Sequence, residues 1–151
     1  NDILFKQMRV QDLRSDKING VIISNPPYYT EGILPDDARL RLARHVAEGL
    51  SPENLLRTAA QLLAPRGALA FISPAASLPS LRRIAVESGW RLSELVTIYS
   101  KPGEVKRTLT LWCRLTDTAE YTPTYSLDLT LQDATGAPSA EYKAWLRDFL
   151  L

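Results

Sequence analysis

The chain has 151 residues, of which 45% are hydrophobic and 23% are charged, and its formal net charge is only +1. These values are typical of one soluble globular domain, and they neither require nor exclude a nucleic-acid partner, which needs only a local basic patch. The single cysteine, Cys113, excludes an internal disulfide and a cysteine-based zinc site and fits the reducing cytoplasm, and no apolar run approaches the roughly 20 residues that span a bilayer.

Two apolar segments lie near the start of the chain. Apolar residues at Ile3, Phe5, Met8 and Val10, with an imperfect period of two, predict a strand near 3–10 that leads to Asp12. The continuous apolar run 20–24, GVIIS, stops at Asn25 and is followed by Pro26. Such a run is typical of a strand buried on both faces of a parallel sheet. The chain begins without an initiator methionine, so we expect it to be a piece of a longer protein.

Three helical patterns and one further strand follow. The first helix is predicted over 35–49, with acids in its first turn and a glycine at its end. The second begins after Ser51, an N-cap residue followed by proline, and has one apolar face. That face consists of Leu55, Leu56, Ala59, Leu62 and Leu63. The run 68–73, ALAFIS, predicts a buried strand, and 77–89 predicts the third helix.

The last third of the chain is rich in strand patterns. Segments 90–100 and 107–115 predict an antiparallel hairpin joined by the loop 101–106, KPGEVK. A further strand pattern at 125–133 precedes a helical pattern at 139–151. Strands that alternate with helices indicate an α/β fold, with right-handed crossovers that place the helices on the faces of the sheet.

The tetrapeptide 25–28, NPPY, is the strongest candidate for a functional site. Asn25 follows a predicted strand, and ligands of α/β sheets bind beyond the carboxyl ends of strands. Pro26 and Pro27 fix the backbone and have no N–H group. The Asn25 side-chain oxygen and the Pro26 carbonyl can therefore converge on the two hydrogens of a planar amine, while the Tyr28 ring stacks on a flat base or amide.

This arrangement suits the in-line transfer of a methyl group to a weak, planar nitrogen nucleophile. Acceptors that hold both amine hydrogens orient the nitrogen and favour a pyramidal geometry, which exposes its lone pair. Positioning of this kind supplies roughly 7–11 kcal/mol in well-oriented reactions. The amine can lose its proton after methylation, so no general base is required.

NPPY after a hydrophobic strand resembles the S-adenosylmethionine-dependent amino-methyltransferases, which modify adenine in nucleic acids or glutamine in proteins. Four longer segments narrow the resemblance. Over these segments the chain is similar to the bacterial tRNA (adenine-N6)-methyltransferase family, whose best-known members modify the adenosine beside the anticodon of a valine tRNA. The segments are 22–32, 38–72, 101–112 and 139–151, and the resemblance covers nearly the whole chain.

The resemblance implies roles for the motif residues. Asn25, Pro26, Pro27 and Tyr28 would form the catalytic turn, in which Asn25 and Pro26 hold the target amine and Tyr28 stacks on the adenine. Asp12 occupies the place of an acid near the adenine of the cofactor S-adenosylmethionine, and Asn25 would also border that cofactor.

Other residues are candidates for contact with the tRNA partner. Tyr29 follows the motif and would face the substrate or simply pack on the surface. Lys106 and Arg107 flank the hairpin loop and would contact RNA phosphates, although exposed basic residues are ordinarily part of a solvated face. His45, on a predicted helix, is more typical of a packed or solvated residue.

The resemblance also implies a part of the fold that this chain lacks. The family has an N-terminal half with a glycine-rich cofactor loop, and the sequence contains no G-x-G-x-x-G. We therefore expect residues 1–151 to form the C-terminal part of one methyltransferase domain. Its fold would be the C-terminal half of a Rossmann-like, seven-stranded mixed sheet with flanking helices and a terminal antiparallel hairpin.

Three consequences are expected for the isolated chain. It should bind S-adenosylmethionine poorly, it should be inactive, and it should expose a sheet edge that favours a homodimer. Three other functions stay open from the sequence: protein-glutamine N5-methylation on the same tetrapeptide, adenine methylation in DNA, and non-catalytic RNA binding.

Overall fold

The computed structural model describes residues 7–8, 12–13, 17–26, 51–115 and 124–147. Eight regular elements lie within these ranges, together with a 3-10 turn over Ala75–Ser77. They are β1 (Val21–Ser24), α1 (Pro52–Leu62), β2 (Ala68–Pro74), α2 (Leu78–Glu87), β3 (Trp90–Tyr99), β4 (Val105–Arg114), β5 (Tyr125–Thr130) and α3 (Ala140–Leu146). None of the helices in this part of the chain is long and apolar enough to cross a membrane.

The five strands form one mixed sheet in the order β1-β2-β4-β3-β5. β1 pairs in parallel with β2, and β3 pairs in parallel with β5. β4 is antiparallel to both of its neighbours, β2 and β3. The predicted α/β fold and the predicted antiparallel hairpin are confirmed. Because β4 runs against the other four strands, β1, β2, β3 and β5 all end at the edge of the sheet where β4 begins. We call this edge the carboxyl edge.

The start of α1 follows directly from its first residues. The Ser51 hydroxyl accepts a hydrogen bond from the Asn54 N–H at 3.1 Å, and Pro52 occupies the first turn, where its missing N–H costs nothing. All five residues of the predicted apolar face are buried. α2 ends at Glu87, and Gly89 follows the C-cap residue Ser88 with a φ of +73°, a conformation that favours glycine.

The hydrophobic core lies between α1, α2 and one face of the sheet, called the helix-covered face. The rings of Phe71 and Trp112 stack on this face with centroids 6.4 Å apart. The Trp90 indole N–H donates to the Leu56 carbonyl at 3.1 Å, which ties the sheet to α1. The other buried members of this cluster are Leu55, Ala59, Leu63, Leu69, Leu81, Ile84, Ala85, Leu92 and Leu95.

The prediction that segment 20–24 is buried on both faces is wrong. Val21 is 58% exposed and Ile23 is 81% exposed, whereas Ile22 packs against the core cluster. The physical reason is that β1 is an edge strand of the described sheet and that α1 and α2 cover only one face. In β4 the buried side chains are Thr108, Thr110 and Trp112. The opposite side of this strand, with Leu109, Leu111 and Cys113, is half-buried.

α3 is attached to the end of β5 by polar contacts. The Ser139 hydroxyl accepts from the Tyr142 N–H at 2.9 Å and donates to the Thr130 carbonyl. The Glu141 carboxylate accepts from the Thr130 N–H at 3.1 Å. The helix observed over the described residues is shorter than the predicted 139–151, of which 148–151 lie outside the description.

Two predicted elements fall mainly outside the described residues. The helix predicted over 35–49, which contains His45, lies wholly outside them. Of the strand predicted over 3–10, only Gln7 and Met8 are described, and neither lies in a strand.

Candidate functional site

Asn25 and Pro26 lie at the carboxyl edge, directly after the last residue of β1. Ser24 is opposite Phe71 in the parallel register, so the turn leaves the sheet beside the second half of β2. Pro26 is fully buried, whereas Asn25 is exposed. Within the described part of the chain, no hydrogen bond engages the Asn25 side-chain amide. The buried proline therefore anchors the backbone while the amide beside it stays open to a ligand.

The second half of the motif is not described. Pro27, Tyr28 and Tyr29 lie outside the described residues, so the stacking role of Tyr28 and the substrate role of Tyr29 stay predictions. Asp12 is described and exposed, which is compatible with its predicted contact with a cofactor. That contact also stays a prediction.

The hairpin between β3 and β4 brings basic residues to the same edge as Asn25. Because β4 runs against β2, its early residue Arg107 lies opposite Pro74, the last residue of β2. Only β2 separates β4 from β1, so neighbouring-strand spacing puts Arg107 about 10 Å from the path of β1. Lys106 is exposed and Arg107 is half-buried.

The loop of this hairpin is a tight, projecting turn. The Glu104 N–H donates to the Lys101 carbonyl at 3.0 Å, and the Ser100 N–H donates to the Glu104 carbonyl at 2.9 Å. Gly103 has φ of +82°, and a Cβ added there would meet no atom within 4 Å, so the turn stands clear of the body. Its fixed geometry holds Lys101 and Lys106 at the solvent side of the carboxyl edge.

Buried hydroxyl groups near the carboxyl edge were not predicted from the sequence. The Ser73 and Thr108 hydroxyl oxygens are 3.1 Å apart, and Thr110 donates to the Phe71 carbonyl at 3.1 Å. The indole N–H of Trp112 donates to Thr110 at 2.8 Å. Threonine and leucine alternate over 108–111, but the alternation alone does not reveal which of the two sides faces the helices.

The described residues contain no cluster of the usual metal-binding side chains. No group of three or more histidine, cysteine, aspartate or glutamate side chains converges among them. The features that remain at the carboxyl edge are an open amide, an anchored proline and a basic hairpin. Together these can hold a planar amine and attract an anionic polymer.

Comparisons of sequence identify relatives with curated names, although no family model matches the chain. A Phocaeicola vulgatus protein named tRNA1(Val) (adenine(37)-N6)-methyltransferase is 32% identical over 149 residues, which are 96% of this chain and 61% of that protein. A Porphyromonas gingivalis protein of the same name is 38% identical over 125 residues, or 81% of this chain and 48% of that protein. The chain thus spans about half the length of the curated relatives it matches.

Comparison of structures supports the same fold. A Listeria monocytogenes protein assigned to the class I S-adenosylmethionine-dependent methyltransferases superposes with a TM-score of 0.53. The match is 14% identical and covers 80% of this chain and 39% of that protein, so it bears on the fold alone. It confirms the predicted Rossmann-like α/β fold for the mixed sheet. The sequence matches show that the chain is similar, over nearly its whole length, to part of the bacterial proteins named tRNA1(Val) (adenine(37)-N6)-methyltransferase.

Proposed function

We propose that the protein containing this chain transfers a methyl group from S-adenosylmethionine to the exocyclic amine of an adenine in tRNA. The observation that carries the proposal is the contrast at the end of β1, where an exposed Asn25 amide adjoins a fully buried Pro26. The names of the relatives supply the methyl acceptor, which the geometry alone leaves open.

The residues of this chain act by positioning the acceptor. The Asn25 side-chain oxygen and the Pro26 carbonyl each accept one hydrogen of the adenine amine, which turns the nitrogen lone pair towards the methyl donor. Pro27 keeps the turn rigid, and Tyr28 stacks on the base. S-adenosylmethionine, when bound, supplies an electrophilic methyl group on sulfur. The amine proton leaves after the transfer, so no side chain has to act as a base beforehand.

The chain offers only part of a site for the cofactor. Asp12 and Asn25 are its candidate contacts, and the sequence has no glycine-rich loop to hold the rest of the molecule. We therefore propose that residues 1–151 are the C-terminal part of a single methyltransferase domain. Segments beyond this chain would complete the cofactor site.

The tRNA would approach along the carboxyl edge. Lys106 and Arg107 are the candidate phosphate contacts, and their position on the same edge as Asn25 supports this assignment. Tyr29 would contact the substrate beside Tyr28. Because tRNA is the substrate, we place the protein in the cytoplasm.

The outer edge of β1 supports one further proposal for the isolated chain. β1 has no strand partner on its outer side among the described residues, and two of its apolar side chains, Val21 and Ile23, are exposed. Such an edge is a template for pairing with a second copy, so the isolated chain would form a homodimer. Size-exclusion chromatography at several concentrations tests this.

The function is tested by offering the complete natural polypeptide three acceptors with radiolabelled S-adenosylmethionine. We expect label in unmodified bulk tRNA, recovered as N6-methyladenosine after digestion to nucleosides. Label in duplex DNA would favour the DNA adenine methyltransferase alternative, and label in a protein acceptor would favour the glutamine methyltransferase alternative. Tight tRNA binding without any transfer would favour the non-catalytic RNA-binding alternative.

A further inference from the structure

Two buried hydroxyl groups lie on the helix-covered face near the carboxyl edge. Ser73 is 0% exposed and Thr108 is 2% exposed, and the two residues are opposite each other in the pairing of β2 with β4. Their oxygens are 3.1 Å apart, so one hydroxyl donates to the other. The positions further from this edge on the same face include Leu69, Phe71 and Trp112. A polar pair at the end of this apolar face indicates a role beyond packing.

The pair lies level with the Asn25–Pro26 turn. β1 and β2 are parallel, and Ser24 is opposite Phe71. Two residues further along each strand come Pro26 and Ser73, and both are fully buried. Continuing the register therefore places Pro26 beside Ser73. Ser73 thus borders the buried side of the turn whose exposed side carries Asn25, and Thr108 lies one strand further away on β4.

The pair has one hydroxyl hydrogen to spare. Each hydroxyl carries one hydrogen, and a bond between two hydroxyls uses only one of the two. The other has no acceptor among the described residues. Thr110 differs, because it donates to the Phe71 carbonyl and accepts from the Trp112 indole N–H. Buried hydroxyl hydrogens are seldom left unpaired, so this one is available to an acceptor at the turn.

We propose that Ser73 and Thr108 are positioning residues for the methyl transfer, and the proposal rests on the function proposed above. In the working site Thr108 donates to Ser73, and Ser73, which is nearer to the turn, donates its own hydrogen to the Pro26 carbonyl. The bond from Thr108 sets the direction in which the Ser73 hydroxyl points. A peptide carbonyl has two lone pairs, so it can accept the Ser73 hydrogen and one hydrogen of the target amine together. The hydroxyl pair then fixes the direction in which the carbonyl holds the amine.

The experiment compares two variants of Thr108 in the complete natural polypeptide. Thr108→Val keeps the shape of the side chain and removes the hydroxyl, whereas Thr108→Ser keeps the hydroxyl. With tRNA as acceptor, we expect Thr108→Val to lower kcat about 10- to 100-fold, as small misplacements do, with little change in KM. Thr108→Ser should recover most of that loss. Thermal melting of each variant shows whether the fold is retained.

The outcomes are decisive in either direction. An unchanged kcat for Thr108→Val, or an equal loss in Thr108→Ser, would overturn the proposal because the hydroxyl would then be dispensable. If Thr108→Val does not fold, Ser73→Ala takes its place, with a selective loss of kcat expected and an unchanged kcat overturning the proposal. An inactive parent protein would refute the proposed function and this inference together. An active parent with an equally active variant would refute this inference alone.

Discussion

Asn25 and Pro26 are adjacent residues with opposite environments. Burial of the Pro26 ring removes apolar surface from water and leaves the turn little freedom, because φ of proline is already fixed. The neighbouring amide incurs no desolvation penalty until a ligand arrives, since Asn25 is exposed. A rigid backbone beside an open amide is the preorganised arrangement that positioning catalysis requires.

The buried Thr110 hydroxyl makes two hydrogen bonds: it donates to the Phe71 carbonyl and accepts from the Trp112 indole N–H. Thr110→Val would leave the buried indole N–H of Trp112 without its acceptor, and we expect a loss of about 1–3 kcal/mol in the free energy of unfolding. The same substitution in a Trp112→Phe background should cost less, because no indole N–H remains to be orphaned. Urea titrations of the four proteins measure this coupling. Equal losses in the two backgrounds would argue against it.

The carboxylate of Asp133 predicts a local dependence on pH. The Thr135 hydroxyl donates to it at 2.6 Å, and this bond, with N–H donors from Thr135 and Ala137, lowers the pKa of Asp133 below its ordinary value of 3.8. The stabilisation of this turn is therefore complete above the pKa of the unfolded chain, and it is lost as the pH falls through the lowered pKa. An NMR titration of the Asp133 carboxyl carbon should give a midpoint below 3.8.

The control for this titration is Thr135→Val, which removes the hydroxyl with the largest effect on the Asp133 pKa. The midpoint should rise in this variant. A midpoint that is already at the ordinary value in the parent protein would mean that the hydrogen bonds do not form in solution.

At the scale of elements, the sequence predicted those helix ends and hairpins that depend on interactions between neighbouring residues. The Ser51 cap and Pro52 predicted the start of α1, and its apolar spacing predicted the buried face. The two strand patterns and the loop between them predicted the β3–β4 hairpin. In each case the residues that interact are close together in the sequence, so a short segment of sequence is enough to predict the element.

Other features depend on partners that are distant in the sequence. The exposure of Val21 and Ile23 depends on which face of the sheet the helices cover, and a continuous apolar run gives no information about the covered face. The parallel pairing of β5 with β3 and the meeting of Ser73 with Thr108 follow from strand order. At the candidate site, Asn25 and Pro26 were predictable because their chemistry is carried by adjacent residues, whereas the hydroxyl pair was not.

The β3–β4 hairpin leads to a prediction about substrate binding. Lys106→Ala removes an exposed charge at the carboxyl edge, and we expect a higher KM for tRNA and a salt dependence of binding that is weaker by about one released counterion. Arg82→Ala is the matched control, because Arg82 is an exposed cation on α2. Filter-binding assays over a range of salt concentrations measure both. Identical behaviour of the two variants would remove the hairpin from the tRNA-binding surface.

At the scale of the whole molecule, the chain has a Rossmann-like fold and spans only part of the length of its relatives. Its described sheet places Asn25 and Pro26, which we propose as the acceptor side of the site, at the end of β1, the strand at one edge of that sheet. In the proposed complete domain, the cofactor side would be built from the segments beyond this edge. This proposed division of the site would weaken the binding of the cofactor by the chain alone.

The 151-residue chain alone should show no calorimetric heat with S-adenosylmethionine, because the sequence has no glycine-rich loop to hold it. The complete natural polypeptide, titrated under the same conditions, is the positive control. Micromolar binding to the chain alone would show that the cofactor site lies within these residues.

The most direct test of the proposed function is single-turnover methyl transfer to unmodified tRNA by the complete natural polypeptide and its Asn25→Ala variant. Because Asn25 is exposed, the variant should melt at nearly the same temperature as the parent. We expect the variant to bind tRNA but to transfer the methyl group about 100-fold more slowly or worse, as for other lost preorganised contacts. Transfer at the rate of the parent protein would contradict the central claim that this amide holds the target amine.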